Sequence, residues 1–325
     1  MSLKNKVLNY LETSGDEFVS GQQLADDLKV SRTAIWKAIS ELRKEGALIN
    51  AVTNKGYYLV RESQKLSLFS LEKELKDFEV HYLEEVDSTN SYCKKLPTSD
   101  VFKKTVVVAS KQSSGRGRRG RTFVSPDGGI YFSLLIDSHN NNEDNLLITS
   151  IASVSVARAI KKVCNVDCKI KWVNDIFIKE RKVCGILTEG VIDMEVGKIK
   201  SMVVGIGINF STPMDEFPAD LKDIVTSIYD NEQAIPNNVS RTMLVKEVVT
   251  EIYNIWDDLP NKDFLNDYRS KSNVIGKSVT IYNRDNSVQN GVAIAINDSA
   301  HLIVELEDKT EIEIGTGEVT IRVTK

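Results

Sequence analysis

The chain has 325 residues, 41% of them hydrophobic and 27% charged, with a formal net charge of −4. That length and balance describe a folded protein with room for two or three domains. They exclude a protein that coats nucleic acid over its whole surface, and no apolar run reaches the length of a membrane span.

The opening stretch, MSLKNKVLNYLETSGDEF, carries charge throughout and does not read as a secretory signal, so the expected location is the cytoplasm. The four cysteines, Cys93, Cys164, Cys168 and Cys184, are then expected as reduced, buried thiols. Only His81, His139 and His301 could join them at a metal, and none lies near the Cys164–Cys168 pair, so structural zinc is not expected.

Residues 1–60 read as three helices and a hairpin. Val7, Leu8 and Leu11 give a first apolar face, and Ser20 with Gln23 forms a capping box ahead of Leu24, Ala25 and Leu28. After a tight connection at Lys29–Val30, Ser31 can cap a third helix. Ile35, Ala38, Ile39 and Leu42 make its inward stripe, leaving Arg32, Thr33, Trp36, Lys37 and Ser40 outside. "INAVTNKGYYLV" then turns at Asn54-Lys55-Gly56 as a wing. Between Lys29 and Lys44 five basic residues, Lys29, Arg32, Lys37, Arg43 and Lys44, face one acid, Glu41. Such a module docks on DNA through the start of its recognition helix, with Ser31, Arg32, Thr33, Trp36, Lys37 and the wing's Lys55 as candidate contacts. The same module could instead pack on a protein partner.

A polar connection around Arg61–Lys65 leads into alternating strands and helices up to about residue 270. "TVVVAS" (105–110) and "GIYFSLLI" (129–136) read as buried strands, and residues 145–163 as a long, mostly apolar helix. Residues 168–190 read as a hairpin turning at Lys179–Arg181, which places Asn174 and Asp175 inside a strand pattern that disfavours them. "KSMVVGIGINF" (200–210) is a strand interrupted by glycine.

The loop "SSGRGRRGRTFVSPDGG" (113–129) packs four arginines and three glycines between Gly115 and Arg121. On paper it matches the dinucleotide fingerprint and nearly matches a P-loop. Both motifs need a helix directly after the glycines, and Pro126, Gly128 and Gly129 forbid one. What remains is a loop between two strands, loaded with guanidinium groups suited to carboxylate and phosphate. A solvated basic loop is the alternative.

Gln112 with "GRGRRGR", then "KWVNDIFI", "RKVCGIL" and "GIGIN", in this order behind a winged helix, resembles the bifunctional biotin protein ligases. The resemblance covers essentially the whole chain. It implies a multidomain α+β protein: a winged helix-turn-helix over 1–64, an α/β ligase domain with a mixed sheet over 65–272, and an SH3-like β-barrel over 273–325. The last region reads independently as five short alternating strands separated by turns.

The implied substrates are biotin and ATP with Mg2+. Biotinyl-5′-AMP is the implied intermediate and corepressor. The implied partners are a biotin carboxyl carrier protein domain, operator DNA and a second copy of the chain in a ligand-promoted homodimer. Carried over by motif, Ser88, Thr89, Asn90, Gln112, Gly115 and Arg116 fall at biotin, as do Lys182, Gly185, Ile186 and Leu187, with Gly205 and Gly207 allowing close approach to its ring. Arg118, Arg119, Arg121, Phe123, Asn174 and Asn209 fall at ATP or the adenylate, and Asp175 at magnesium. Lys182, Arg118 and Arg116 are the implied catalytic groups. Val173 stands where family members commonly have Pro, and Phe123 where many have Trp. An inert ligand-sensing transcription factor and a lipoate-type ligase are the competing readings.

Overall fold

The structure, a computed structural model, describes residues 3–14, 17–44, 47, 49–59, 66–96, 104–138, 142–193, 197–283, 287–315 and 320–323. The expected connection at Arg61–Lys65, the boundary drawn at 64/65, Val60 and His139 lie outside the described residues. The chain divides into two compact units, Met1–Glu74 with Pro236–Thr242, and Leu75–Ile235 with Met243–Lys325.

In the first unit, α1 (Leu3–Thr13), α2 (Gly21–Asp27) and α3 (Arg32–Lys44) enclose a core that includes Val7, Leu11, Leu24, Ile35, Ile39 and Leu42. The expected stripe on α3 is the buried one. Ser20 caps α2 by accepting from Gln23 N at 3.0 Å, and Ser31 Oγ accepts from Ala34 N at 3.2 Å. The reciprocal half of the capping box is replaced: Gln23 Nε2 donates to Tyr10 Oη at 3.2 Å. The wing is the antiparallel pair β1 (Ile49–Val52) and β2 (Gly56–Leu59). Gly56 has φ +110°, and a Cβ there would sit 2.2 Å from the Val19 carbonyl oxygen, so the position requires glycine. One basic residue leaves the recognition face. Arg43 donates through Nε (2.8 Å) and Nη2 (2.5 Å) to the Ile49 carbonyl and ties α3 to the wing. α4 (Leu68–Glu74) completes this unit.

The second unit begins with β3 (Glu79–Val86), α5 (Thr89–Cys93), β4 (Thr105–Gln112), β5 (Ile130–Asp137) and α6 (Asn142–Ala159). β6 (Lys169–Lys171), β7 (Asp175–Ile178), β8 (Arg181–Asp193) and β9 (Lys198–Ile208) follow, then α7 (Arg241–Asp257) and α8 (Phe264–Ser270). Seven strands form one sheet in the order β3-β4-β5-β9-β8-β7-β6. Only β3 and β4 run parallel, so the sheet is mixed as expected. β5 is buried from Ile130 to Ile136, as the continuous apolar run requires of a strand covered on both faces.

The segment 168–190 differs from its reading as one hairpin. It makes two, β6–β7 and β7–β8, and Trp172-Val173-Asn174 is the turn between β6 and β7. Asn174 is therefore a turn residue, which removes its conflict with strand propensity, while Asp175 is the first residue of β7. The C-terminal strands β10 (Ser278–Tyr282), β11 (Val288–Ile296), β12 (Leu302–Leu306), β13 (Glu311–Ile314) and β14 (Thr320–Val323) form an antiparallel sheet, order β13-β12-β11-β10-β14. This sheet is part of the second unit, fastened to it by Trp172 Nε1 donating to the Ala300 carbonyl at 3.0 Å and Arg269 Nε to that of Ile296 at 2.8 Å.

Candidate active site

The arginine loop joins β4 to β5 and is itself a small hairpin. Gly117 N donates to the Arg121 carbonyl at 2.7 Å, and Phe123 N to that of Gly115 at 2.9 Å. Arg118–Gly120 forms a single 3-10 turn at its tip, with Arg119 at φ 57° and Gly120 at φ 72°. The next regular element is β5, so neither phosphate-binding glycine motif is present.

Under this hairpin lies a cavity of about 400 Å³ on the β8–β9 face of the sheet. Its wall brings together Ser88, Thr89 and Asn90 from α5 and its cap, Gln112 from β4, and Arg116, Arg118, Arg119, Arg121 and Phe123 from the loop. Asn174 comes from the β6–β7 turn, Asp175 from the start of β7, Lys182, Gly185, Ile186 and Leu187 from β8, and Gly205, Gly207 and Asn209 from β9 and its end. Gly115 stands behind this wall: it is buried, and a Cβ there would meet the Phe123 carbonyl oxygen at 2.2 Å.

The glycines differ from expectation in what fills the room they leave. At Gly205 it is Asn90, whose Oδ1 would lie 2.0 Å from an added Cβ; at Gly207 it is the Phe123 ring, at 2.4 Å. Gly185 pairs with Gly207 across β8 and β9, and Phe123 rests over both, 2.9 Å from a Cβ at Gly185. Phe123 also meets Tyr131 edge-on at 6.4 Å and carries Lys182 Nζ 5.8 Å from its centroid.

A continuous polar chain lines the α5 side. Gln112 Oε1 accepts from Thr89 N at 2.9 Å, and Ser133 Oγ lies 2.7 Å from both Thr89 Oγ1 and Asn90 Oδ1. On the opposite side Lys182 Nζ lies 2.6 Å from Asp175 Oδ1. A β-bulge between the pairs Ile176–Cys184 and Phe177–Lys182 marks the strand here, and bulges re-aim side chains beside sites. The Lys182 backbone is held from outside, its N–H donating to the Ile224 carbonyl and its carbonyl accepting from Thr226 N, each at 2.8 Å.

Arg118 is half-buried, and burial pushes its guanidinium below the ordinary arginine value. Its Nη1 donates to Asn174 Oδ1 at 3.2 Å, while Asn174 Nδ2 donates to the Ile186 carbonyl at 2.7 Å. Arg116 points elsewhere, to Glu189 at 3.1 Å. Asn209 is part of the wall, and its Oδ1 is buried with no hydrogen-bond partner among the described residues. The magnesium expectation at Asp175 meets a carboxylate already paired with an ammonium. Among the described residues no group of three or more His, Cys, Asp or Glu could hold a metal.

Several residues escaped the sequence reading. Phe217, Leu221, Ile224 and Val225 close one side of the cavity, and Lys171 and Trp172 line it. The 217–225 residues sit in an irregular stretch with no periodicity to flag them. Ser133 and Glu189 carried a signal, since a fully buried serine in an apolar strand and a carboxylate inside β8 both demand partners.

On the first unit, Ser31, Arg32, Thr33, Trp36, Lys37 and Lys55 are all exposed, and Trp36 at 61% cannot be core. Lys55 Nζ lies 5.7 Å from the Phe18 centroid, and Phe18 meets Tyr58 edge-on at 4.6 Å, which braces the wing.

A winged helix together with a mixed-sheet domain that floors a cationic pocket with glycines defines a two-part protein, one part for DNA and one for an anionic small molecule. The two parts match separate families: residues 4–58 match the model of an HTH domain, and residues 82–209 that of the biotin/lipoate A/B protein ligase family. The chain is 33% identical to the bifunctional ligase/repressor BirA of Bacillus spizizenii, covering 97% of this chain and 99% of that one. It is 36% identical to that of Bacillus subtilis over 76% of each. The biotin protein ligase of Aquifex aeolicus, solved in complex with biotin and ATP, superposes with a TM-score of 0.63 at 27% identity, covering 76% of this chain and 99% of that one. The chain belongs to the bifunctional biotin ligase/repressor family.

Proposed function

We propose that this chain is an ATP-dependent biotin protein ligase that also represses transcription. A biotin carboxylate oxygen attacks the α-phosphorus of ATP, pyrophosphate leaves, and a biotinyl-5′-adenylate remains in the pocket. The ε-amine of a lysine on a biotin carboxyl carrier domain then attacks the acyl carbon; AMP leaves and the amine loses its proton. The observation that carries this reading is the convergence of Lys182 and Arg118 on one glycine-floored cavity of about 400 Å³. Fixed cations placed where charge develops are what a mixed anhydride needs.

Lys182, leaving Asp175 for the reacting oxygens, stabilises the carboxylate and phosphate, and Arg118 holds the phosphate from the loop. Asn209, Arg119 and Arg121 lie on the nucleotide side. Ser88, Thr89, Asn90 and Gln112 face biotin along the polar chain, with Ile186 and Leu187 as apolar wall. Magnesium enters with the triphosphate as MgATP.

The winged helix binds operator DNA through Arg32, Thr33, Trp36 and Lys37, with Ser31 at the helix cap and Lys55 on the wing. The adenylate acts as corepressor by favouring a homodimer that presents two such helices. The domain limits are 1–64, 65–272 and 273–325, and the C-terminal strands are an SH3-like barrel. The protein acts in the cytoplasm. The test combines purified protein, biotin, MgATP and a carrier domain. Biotinylated carrier supports the reading; none, with the carrier shown to accept biotin from another ligase, refutes it.

A further inference from the structure

Glu189 lies on β8, two residues beyond Leu187 of the cavity wall, with 17% of its side chain exposed. A carboxylate so placed loses solvation unless donors replace the water. Glu189 gathers them from two elements. Its Oε2 accepts from Asn90 Nδ2 at 2.9 Å, and Lys94 Nζ, just past the end of α5, lies 2.5 Å from Oε1. From the loop, Arg116 presents two nitrogens, Nη2 at 3.1 Å from Oε1 and Nη1 at 3.4 Å from Oε2. Burial alone would raise this carboxyl; hydrogen bonds from Lys94 and Asn90, with the charges of Lys94 and Arg116, outweigh it and hold the group below the usual glutamate value.

These four contacts use the acceptor capacity of a carboxylate, so Glu189 is not free to take a proton from an incoming amine. An isolated surface ion pair would contribute little. This one differs because its carboxylate is mostly buried and its partner Asn90 is anchored again, through Oδ1 at 2.7 Å from Ser133 Oγ, to the floor of the sheet. Arg116 is meanwhile withdrawn from direct anion contact by its two-point hold on Glu189.

We infer that Glu189 is the latch of the arginine loop, a positioning residue that acts through Arg116 while Asn90 and Lys94 hold it in place. The loop opens only when this two-point pair breaks, so the latch governs entry and retention of ligand and leaves the bond-making groups alone. The consequence for biotin rests on the ligase reading; the latch itself does not.

The test therefore has two arms on the full chain, with wild type, Glu189→Gln, Arg116→Met and the double variant. In the first, ligand-free protein is exposed to trypsin and cleavage after Arg118, Arg119 and Arg121 is timed by mass spectrometry. Each single change is expected to speed cleavage about ten-fold, equivalent to about 1.4 kcal/mol, and the double variant to go no faster than either. Wild-type cleavage rates in the single variants, or multiplied effects in the double, overturn the latch. Arg116 is 46% exposed in its side chain, so Arg116→Met keeps the test decisive even where Glu189→Gln does not fold. In the second arm, Glu189→Gln raises KM for biotin in pyrophosphate exchange with kcat within about two-fold. A lowered kcat at unchanged KM overturns the positioning role. Absence of exchange in wild type refutes the ligase reading, while the trypsin arm still decides the latch.

Discussion

Replacing Gly205 with alanine tests how tightly the floor of the pocket is built. Gly205 sits on β9 between Ser133 of β5 and Leu187 of β8. An added methyl would lie 2.0 Å from Asn90 Oδ1, 2.7 Å from its Cγ and 3.0 Å from its Nδ2. Asn90 is 3% exposed, and moving it aside breaks the hydrogen bonds that hold it. Its Oδ1 is held by Ser133, and its Nδ2 donates to Glu189 at 2.9 Å and to the Leu187 carbonyl at 3.2 Å. Overpacking costs about 1–3 kcal/mol, and the buried hydrogen bonds lost if Asn90 is expelled cost about the same again. Subtracting the ~0.5–1 kcal/mol that alanine gains over glycine in a strand leaves a net loss of about 3 kcal/mol. For a unit of this size that lowers the melting midpoint by roughly 6–12 °C in scanning calorimetry. Gly190→Ala is the matched control on β8, where the nearest atom, Ile199 Cγ1, lies 3.7 Å from the new Cβ, and its midpoint should not fall. If Gly205→Ala melts together with wild type and Gly190→Ala, the packing argument is wrong.

Other outcomes follow from the same geometry. Arg118→Gly removes the half-buried guanidinium held by Asn174, so biotinyl-adenylate should dissociate faster and label unintended lysines; undiminished retention in a chase experiment would remove that role from Arg118. Burial pushes Cys93 and Cys168 up to about 12, Cys164 to about 11 and Cys184 well above its ordinary value. Because the thiolate is the reactive form, even Cys164 is ionised in only about one molecule in a thousand at pH 8. Native protein should therefore resist iodoacetamide at pH 8 while the denatured chain is alkylated at every cysteine, and prompt labelling of the native form would contradict the burial. Lys37→Ala should weaken operator binding and reduce the slope of log affinity against log salt by about one, measured by fluorescence anisotropy; an unchanged slope removes Lys37 from the phosphate contacts.

The recognition helix was legible because its signals are local: a cap at Ser31, a 3.6-residue stripe, and charge on the other face. The buried central strands were legible as apolar runs, and the arginine loop because Pro126, Gly128 and Gly129 exclude a following helix. Asn174 was misread because alternation across 168–190 looks the same for one hairpin or two, and only the turn at 172–174 distinguishes them. The destination of Arg116 was also hidden. Residue type predicts that a guanidinium seeks an anion, but its pairing with Glu189, 73 positions away, follows from the register of β8 against β9. The wall at 217–225 depends on tertiary placement of an irregular segment that docks through backbone bonds to Lys182. Motif resemblance named the candidate set; the structure assigned the side chains their neighbours.

The central claim is that one cavity under the arginine loop activates biotin with ATP through Lys182. Biotin-dependent exchange of labelled pyrophosphate into ATP measures that step alone, without carrier protein or DNA. Wild-type protein should catalyse exchange that requires biotin, with loss of about a hundred-fold or more in a folded Lys182→Ala variant. No biotin-dependent exchange in wild type, or near-normal exchange in Lys182→Ala, would contradict that claim.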